Sequence, residues 1–127
     1  MLLDTHALLW LLYGDSRLSP VARKHFEEEK EVSYSVVNLW EIGIKLGLQR
    51  DDFQLDSNWW RDIPRTLREQ GVACVPIEAE DCREVGRLPL HHRDPFDRML
   101  VVQAQRLKVS ILSRDSALDA YEVVRIW

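Results

Sequence analysis

The sequence predicts an α/β fold of three layers, α/β/α, around a central, mostly parallel sheet of four to five strands. Two patterns predict it. Short apolar runs alternate along the chain with longer segments of helical character, as repeated strand–helix units require. Those runs, such as Val72-Ala73-Cys74-Val75-Pro76-Ile77 and Val109-Ser110-Ile111-Leu112, are also continuous rather than alternating, which suits strands covered on both faces. The 127 residues, 46% hydrophobic and 30% charged, are expected to form one soluble domain over residues 1–127, since no repeat, low-complexity stretch or long linker divides them.

Met1-Leu2-Leu3 reads as the first strand, with Asp4 or Thr5 capping a helix from His6 to about Leu12 that stops at Gly14. Ser19-Pro20 opens a second helix, to about Lys30, by placing proline where the missing N–H costs nothing. Val32–Ser35 is the second strand. Val36–Leu46 is an apolar helix with Gly47 as its stop, and Gln49–Asp56 is a polar connector. Ser57 is expected to cap a helix to about Gln70 that Gly71 ends, with Pro64 as a candidate break or kink inside it. Trp59 and Trp60 are adjacent and cannot share a helix face; one enters the core, and the other either faces a partner or, as the plainer reading has it, is core as well. Val72–Ile77 is a buried third strand, followed by a short helix from Glu78 to about Val85 closed by Gly86 and Pro89. Asp94-Pro95 then caps and starts a long helix to Leu107, placing Asp97 at about its third position, at the positive end of the helix dipole. Val109–Leu112, a short helix near Ser116–Ala120 and a last strand Val123–Ile126 complete the chain.

Composition excludes several classes. No apolar run approaches the roughly 18–20 residues of a membrane span, so no membrane association is expected. The first apolar stretch is broken by Asp4 and His6 and has no basic leader, so it reads as mature protein rather than a signal peptide. Cys74 and Cys82 match no zinc spacing and are expected as buried free thiols, which points to the cytoplasm. The net charge of −4 argues against electrostatic coating of nucleic acid but not against a nuclease whose acids surround a metal.

Sites in open parallel sheets form beyond the carboxyl ends of strands. Asp4 follows strand one and Asp115 follows strand four; Glu41 lies on the helix after strand two, amid apolar neighbours, and Asp97 starts the helix leading to strand four. Four carboxylates at one edge would repel one another, and some would hold their protons more tightly. A hard divalent cation, Mg²⁺ or Mn²⁺, resolves that conflict and supplies the means of metal-assisted phosphodiester hydrolysis. Spacing alone leaves this one reading among several. Glu41 and Lys45 can also form an ordinary i,i+4 surface pair, and Asp94 can be a helix cap alone.

Three blocks resemble the PIN-domain ribonucleases, in particular the VapC-type toxins of toxin–antitoxin pairs. They are Leu3-Asp4-Thr5-His6-Ala7-Leu8-Leu9-Trp10, then Ser35-Val36-Val37-Asn38-Leu39-Trp40-Glu41-Ile42-Gly43-Ile44-Lys45, then His92-Arg93-Asp94-Pro95-Phe96-Asp97-Arg98-Met99-Leu100-Val101-Val102-Gln103-Ala104 followed by Ser113-Arg114-Asp115. The resemblance covers essentially the whole chain, with the blocks in order. It implies that Asp4, Glu41, Asp97 and Asp115 hold one or two Mg²⁺ or Mn²⁺ ions, with Asp94 an additional carboxylate of the motif. Thr5, Asn38 and Ser113 match polar positions beside those acids; Ser113 stands where many members have threonine, and the hydroxyl is retained. Lys45, Arg93, Arg98 and Arg114 lie close enough in sequence to contact RNA phosphate, with surface ion pairs as the alternative. The implied activity is cleavage of single-stranded or looped RNA, with tRNA or another structured RNA as substrate, inhibiting translation and growth. A cognate antitoxin and homodimerisation are implied as well, with Trp10 and one of Trp59 or Trp60 as contact areas. The alternative is a catalytically weak PIN-like module that binds RNA or protein. His6, His91 and His92 show no zinc spacing, and Asp4-Thr5-His6 lacks the second aspartate of a phosphatase motif.

Overall fold

The computed structural model describes residues 1–48 and 54–127. Five strands form one all-parallel sheet in the order β3-β2-β1-β4-β5. They are β1 Leu2–Leu3, β2 Ser33–Ser35, β3 Ala73–Val75, β4 Ile111–Leu112 and β5 Arg125–Ile126. Six helices connect them: α1 Thr5–Tyr13, α2 Pro20–Glu28, α3 Val36–Gly47, α4 Trp59–Glu69, α5 Ala79–Arg87 and α6 Pro95–Leu107, with a 3₁₀ turn at Ser116–Ala120. The predicted three-layer α/β/α class is the observed one. The chain adds β2 and β3 on one side of β1, then returns to add β4 and β5 on the other. The order therefore reverses between β1 and β4, and in such sheets a crevice opens beyond the carboxyl ends of those two strands.

Successive strand residues point to opposite faces, so Leu2 and Leu3 serve different cores. Leu3, Tyr34 and Leu112 pack with Leu8, Trp10, Ile42, Ile63 and Leu67 on one face. Leu2, Val75 and Ile111 pack with Leu100, Val101, Ala104 and Leu118 on the other. Each fully buried aliphatic side chain contributes about 1.5–3 kcal/mol.

Local sequence sets most helix starts. Asp4 caps α1 by accepting from the Ala7 amide at 2.6 Å, and Gly14, at φ 64°, closes it in the left-handed conformation. Ser19 caps α2 through the Ala22 amide at 3.0 Å. Ser35 caps α3 through the Val37 amide, while Asn38 accepts from the Ser35 amide at 2.7 Å. Asp94 caps α6 by accepting from the Phe96 amide at 2.8 Å, with Pro95 as the first helical residue.

Several expectations are corrected. Asn58, not Ser57, precedes α4, and the local side-chain bond is Asp56 accepting from the Asn58 amide at 2.8 Å. Gly47 and Gly86 lie inside α3 and α5 rather than beyond them. The third strand is an edge strand whose Ala73 and Cys74 are exposed, not a buried one. Both cysteines are free as expected, yet both are exposed, Cys74 on that edge and Cys82 on α5. Trp10, expected as a contact area, is only 7% exposed and packs against the rings of His6 and Trp127. The tryptophan pair divides, and the reading that put both in the core is corrected: Trp59 packs against the core and Trp60 is exposed. Of the predicted polar connector, residues 49–53 lie outside the described residues. Among the described residues no helix is long and apolar enough to cross a membrane.

Candidate functional site

The carboxyl ends of β1 and β4 are joined by the Asp4 amide, which donates to the Leu112 carbonyl at 3.1 Å. Asp4 is thereby held at the switch point of the sheet, almost fully buried. Burial pushes its carboxyl above the ordinary range, against the Ser113 hydroxyl, the Ala7 amide and His6, and the Glu41 charge adds to the rise. Ser113 is itself buried, and its hydroxyl also accepts from the Asp115 amide at 3.0 Å.

Glu41 is buried on α3. The Thr5 hydroxyl donates to its Oε2, and Lys45 reaches its Oε1 at 2.6 Å. Asn38 completes this layer, donating to the Thr5 hydroxyl at 3.1 Å and to the Leu3 carbonyl at 3.3 Å. The i,i+4 pair of Glu41 and Lys45 thus exists, but with a buried carboxylate at its centre rather than on a solvated face.

Asp97 stands at the N-terminus of α6. Burial first, and then the charges of Asp94, Asp4 and Glu41, push its carboxyl up to about 7, against the opposing influence of His92. That mutual influence shows Asp4, Glu41 and Asp97 sharing one electrostatic neighbourhood. Asp115 is more open and is held below the ordinary carboxylate range, first by the hydrogen bond from His92 and then by the Ala117 amide at 2.9 Å. His92 joins the last two acids: its Nε2 lies 2.8 Å from Asp115 Oδ2 and 3.5 Å from Asp97 Oδ2. Asp94 spends one oxygen on the helix cap and gives its amide to His92 Nδ1 at 3.0 Å.

A donor atom from each of His92, Asp97 and Asp115 falls within 4.8 Å of the other two, a spacing one cation can span. Asp4 and Glu41 stand outside that triplet but act on Asp97 through their charge. Oxygen-rich donors with uncompensated negative charge fit a hard divalent ion. His92 was overlooked in the sequence except as a zinc ligand. The signal available there was its place two residues before the helix cap, beside carboxylates. His91 instead meets the Tyr121 ring edge-on, with the ring centroids 5.2 Å apart.

The four basic residues separate. Lys45 is at the site. Arg93 and Arg114 are exposed and, among the described residues, neither forms an ion pair. Arg98 is not available to phosphate. It is buried, and its guanidinium donates to the carbonyls of Val85, Leu88 and Pro89 at 2.9, 2.9 and 2.7 Å, because a buried charge needs partners. A groove of about 620 Å³ between α5, α6 and Tyr121 has none of the four acids in its lining.

A family model described as PIN domain matches residues 1–124. No curated protein matches the chain by sequence. Among solved structures, that of FitAcB from Neisseria gonorrhoeae is similar at a TM-score of 0.63, with 16% identity over 98% of this chain and 94% of that one. At that identity the likeness is one of fold.

Proposed function

On the premise that the chain belongs to the PIN-domain family, we propose that it is a metal-dependent endoribonuclease hydrolysing RNA phosphodiester bonds. The observation that carries this reading is Asp97, whose carboxyl is pushed up to about 7 by burial and by three neighbouring carboxylates. Among the described residues no lysine or arginine is paired with Asp97, and a fold that gathers such charge has a use for a cation there. Asp97 and Asp115 would hold Mg²⁺ or Mn²⁺, with Asp4 and Glu41 adding charge from the β1 side. The ion, when bound, would neutralise phosphate charge and make a water a better nucleophile.

The chain's own residues have separable tasks. Ser113 and the Ala7 amide fix Asp4, and Thr5 and Lys45 fix Glu41. Asn38 fixes Thr5 in turn. Lys45, Arg93 and Arg114 are the proposed contacts to backbone phosphate, which any RNA sequence presents. By the stated resemblance, the biological role is that of a growth-inhibiting toxin in the cytoplasm, opposed by a cognate antitoxin and acting as a homodimer. Structured RNA such as tRNA is the expected substrate. Exposed Trp60, Trp40 and Tyr13 are the apolar surfaces such partners would use.

A second reading, a PIN-like binding module of weak catalytic power, draws on the 2.6 Å pair of Lys45 with Glu41, which already compensates one carboxylate. Incubating the purified protein with tRNA and other structured RNAs, with and without Mg²⁺ or Mn²⁺, separates the two. Metal-dependent cleavage is expected from the wild type. Asp97→Asn should lose more than the about 10–100-fold typical of a residue that only supports a ligand. Cleavage by Asp97→Asn at the wild-type rate would refute the site.

A further inference from the structure

We propose that His92 is a positioning residue, which holds Asp115 and Asp97 for the cation by donating from Nε2 and is not itself a ligand. The inference rests on the reading of those two acids as metal ligands. His92 Nδ1 lies 3.0 Å from the Asp94 amide nitrogen. An amide N–H only donates, so Nδ1 must be the acceptor and the proton of the neutral ring sits on Nε2. Nε2–H then points at Asp115 Oδ2, 2.8 Å away, with Asp97 Oδ2 at 3.5 Å. Ligation through Nε2 would move the ring proton to Nδ1, against the Asp94 N–H. The backbone that caps α6 therefore also fixes which hydrogen bond His92 makes.

The loop carrying His92 is anchored from below. The His92 amide donates to the Tyr121 hydroxyl at 2.8 Å, and that hydroxyl donates to the Pro89 carbonyl at 3.0 Å. Arg98 donates to the same carbonyl at 2.7 Å and to the Tyr121 hydroxyl at 3.3 Å, and its other nitrogen clasps Val85 and Leu88. These bonds explain why an arginine beside the acids is buried rather than offered to substrate. Asp115 needs the support because its side chain is 45% exposed at the start of a short 3₁₀ turn. With Oδ1 accepting from the Ala117 amide and Oδ2 from His92, its carboxylate plane is fixed. Carboxylates oriented by such partners bind metal more tightly than free ones.

Two measurements test this. In the metal-free protein, long-range ¹⁵N–¹H NMR should show His92 with its proton on Nε2; a proton on Nδ1 overturns the proposal. Mn²⁺ uptake, followed by loss of the free-ion EPR signal, should weaken by about 10–100-fold in His92→Ala. His92→Gln, whose amide can donate from near the position of Nε2, should recover most of that loss, which a general packing defect would not allow. Equal uptake by His92→Ala and the wild type overturns the role of His92 alone. Direct Mn²⁺–nitrogen coupling in pulsed EPR overturns it too, by making His92 a ligand. Absence of uptake by the wild type overturns the cation reading of the whole edge, and this proposal with it.

Discussion

At its C-terminal end α6 carries Arg106, whose guanidinium meets Asp81 of α5 through bonds of 2.7 and 3.0 Å; at its N-terminal end it carries Asp97. Both carboxylates are withdrawn from water, and Asp81 completely. Burial would push Asp81 up, but Arg106 and the Glu78 amide hold it below the ordinary range. Asp97 has other carboxylates for neighbours and rises to about 7. One helix thus supports a carboxylate that the fold neutralises from within and another that it leaves uncompensated at the switch point of the sheet. Where a charge serves the fold, the chain provides its counterion. Where none is provided, the fold bears a cost that a bound cation would relieve.

The largest effect should come from breaking the internal pair. Asp81→Ala leaves Arg106 facing a vacated pocket and should cost about 3 kcal/mol of unfolding free energy in urea titration, with Mn²⁺ affinity unchanged. A loss below about 1 kcal/mol would mean that the pair is worth no more than a surface bridge.

At the other end the sign reverses: Asp97→Asn should stabilise the metal-free protein. The folded-state carboxyl at about 7 lies above the unfolded value of 3.8, so between those values the native state holds a proton that the unfolded chain has released. The Asp97 contribution to stability therefore falls as pH rises from about 4 to about 7 and is level beyond. Asparagine removes that fall, so its advantage over the wild type should be absent near pH 4, grow as pH rises, and level off above about pH 7. A pH-independent difference between the two proteins would show that Asp97 is not the strained charge.

Features fixed by neighbours in sequence were legible before the fold. Asp4, Ser19, Asp94 and Pro95 announce helix starts because a cap needs only the next two or three amides. Asp4 and Asp115 were legible as strand-end residues, and the sheet order puts β1 beside β4 as that reading needs. What the sequence did not disclose depends on distant partners. A continuous apolar run does not say which strand lies at the edge, so Cys74 was misjudged as buried. Arg98 sits in the acidic motif, yet its partners are carbonyls 9 to 13 residues earlier, in the last turn of α5 and the segment after it, whose path no local pattern specifies. His92 meets Asp115 across 23 residues, and its tautomer follows from a backbone amide.

The most direct test of the uncompensated charge is thermal unfolding at pH 8 with and without millimolar Mn²⁺, for the wild type and Asp97→Asn. An ion that binds the native state at 100 times its dissociation constant adds about 2.7 kcal/mol. The account predicts that the wild type melts several degrees higher with Mn²⁺ and that Asp97→Asn, already relieved of its charge, gains little. An equal rise in both proteins, or none in the wild type, would contradict it.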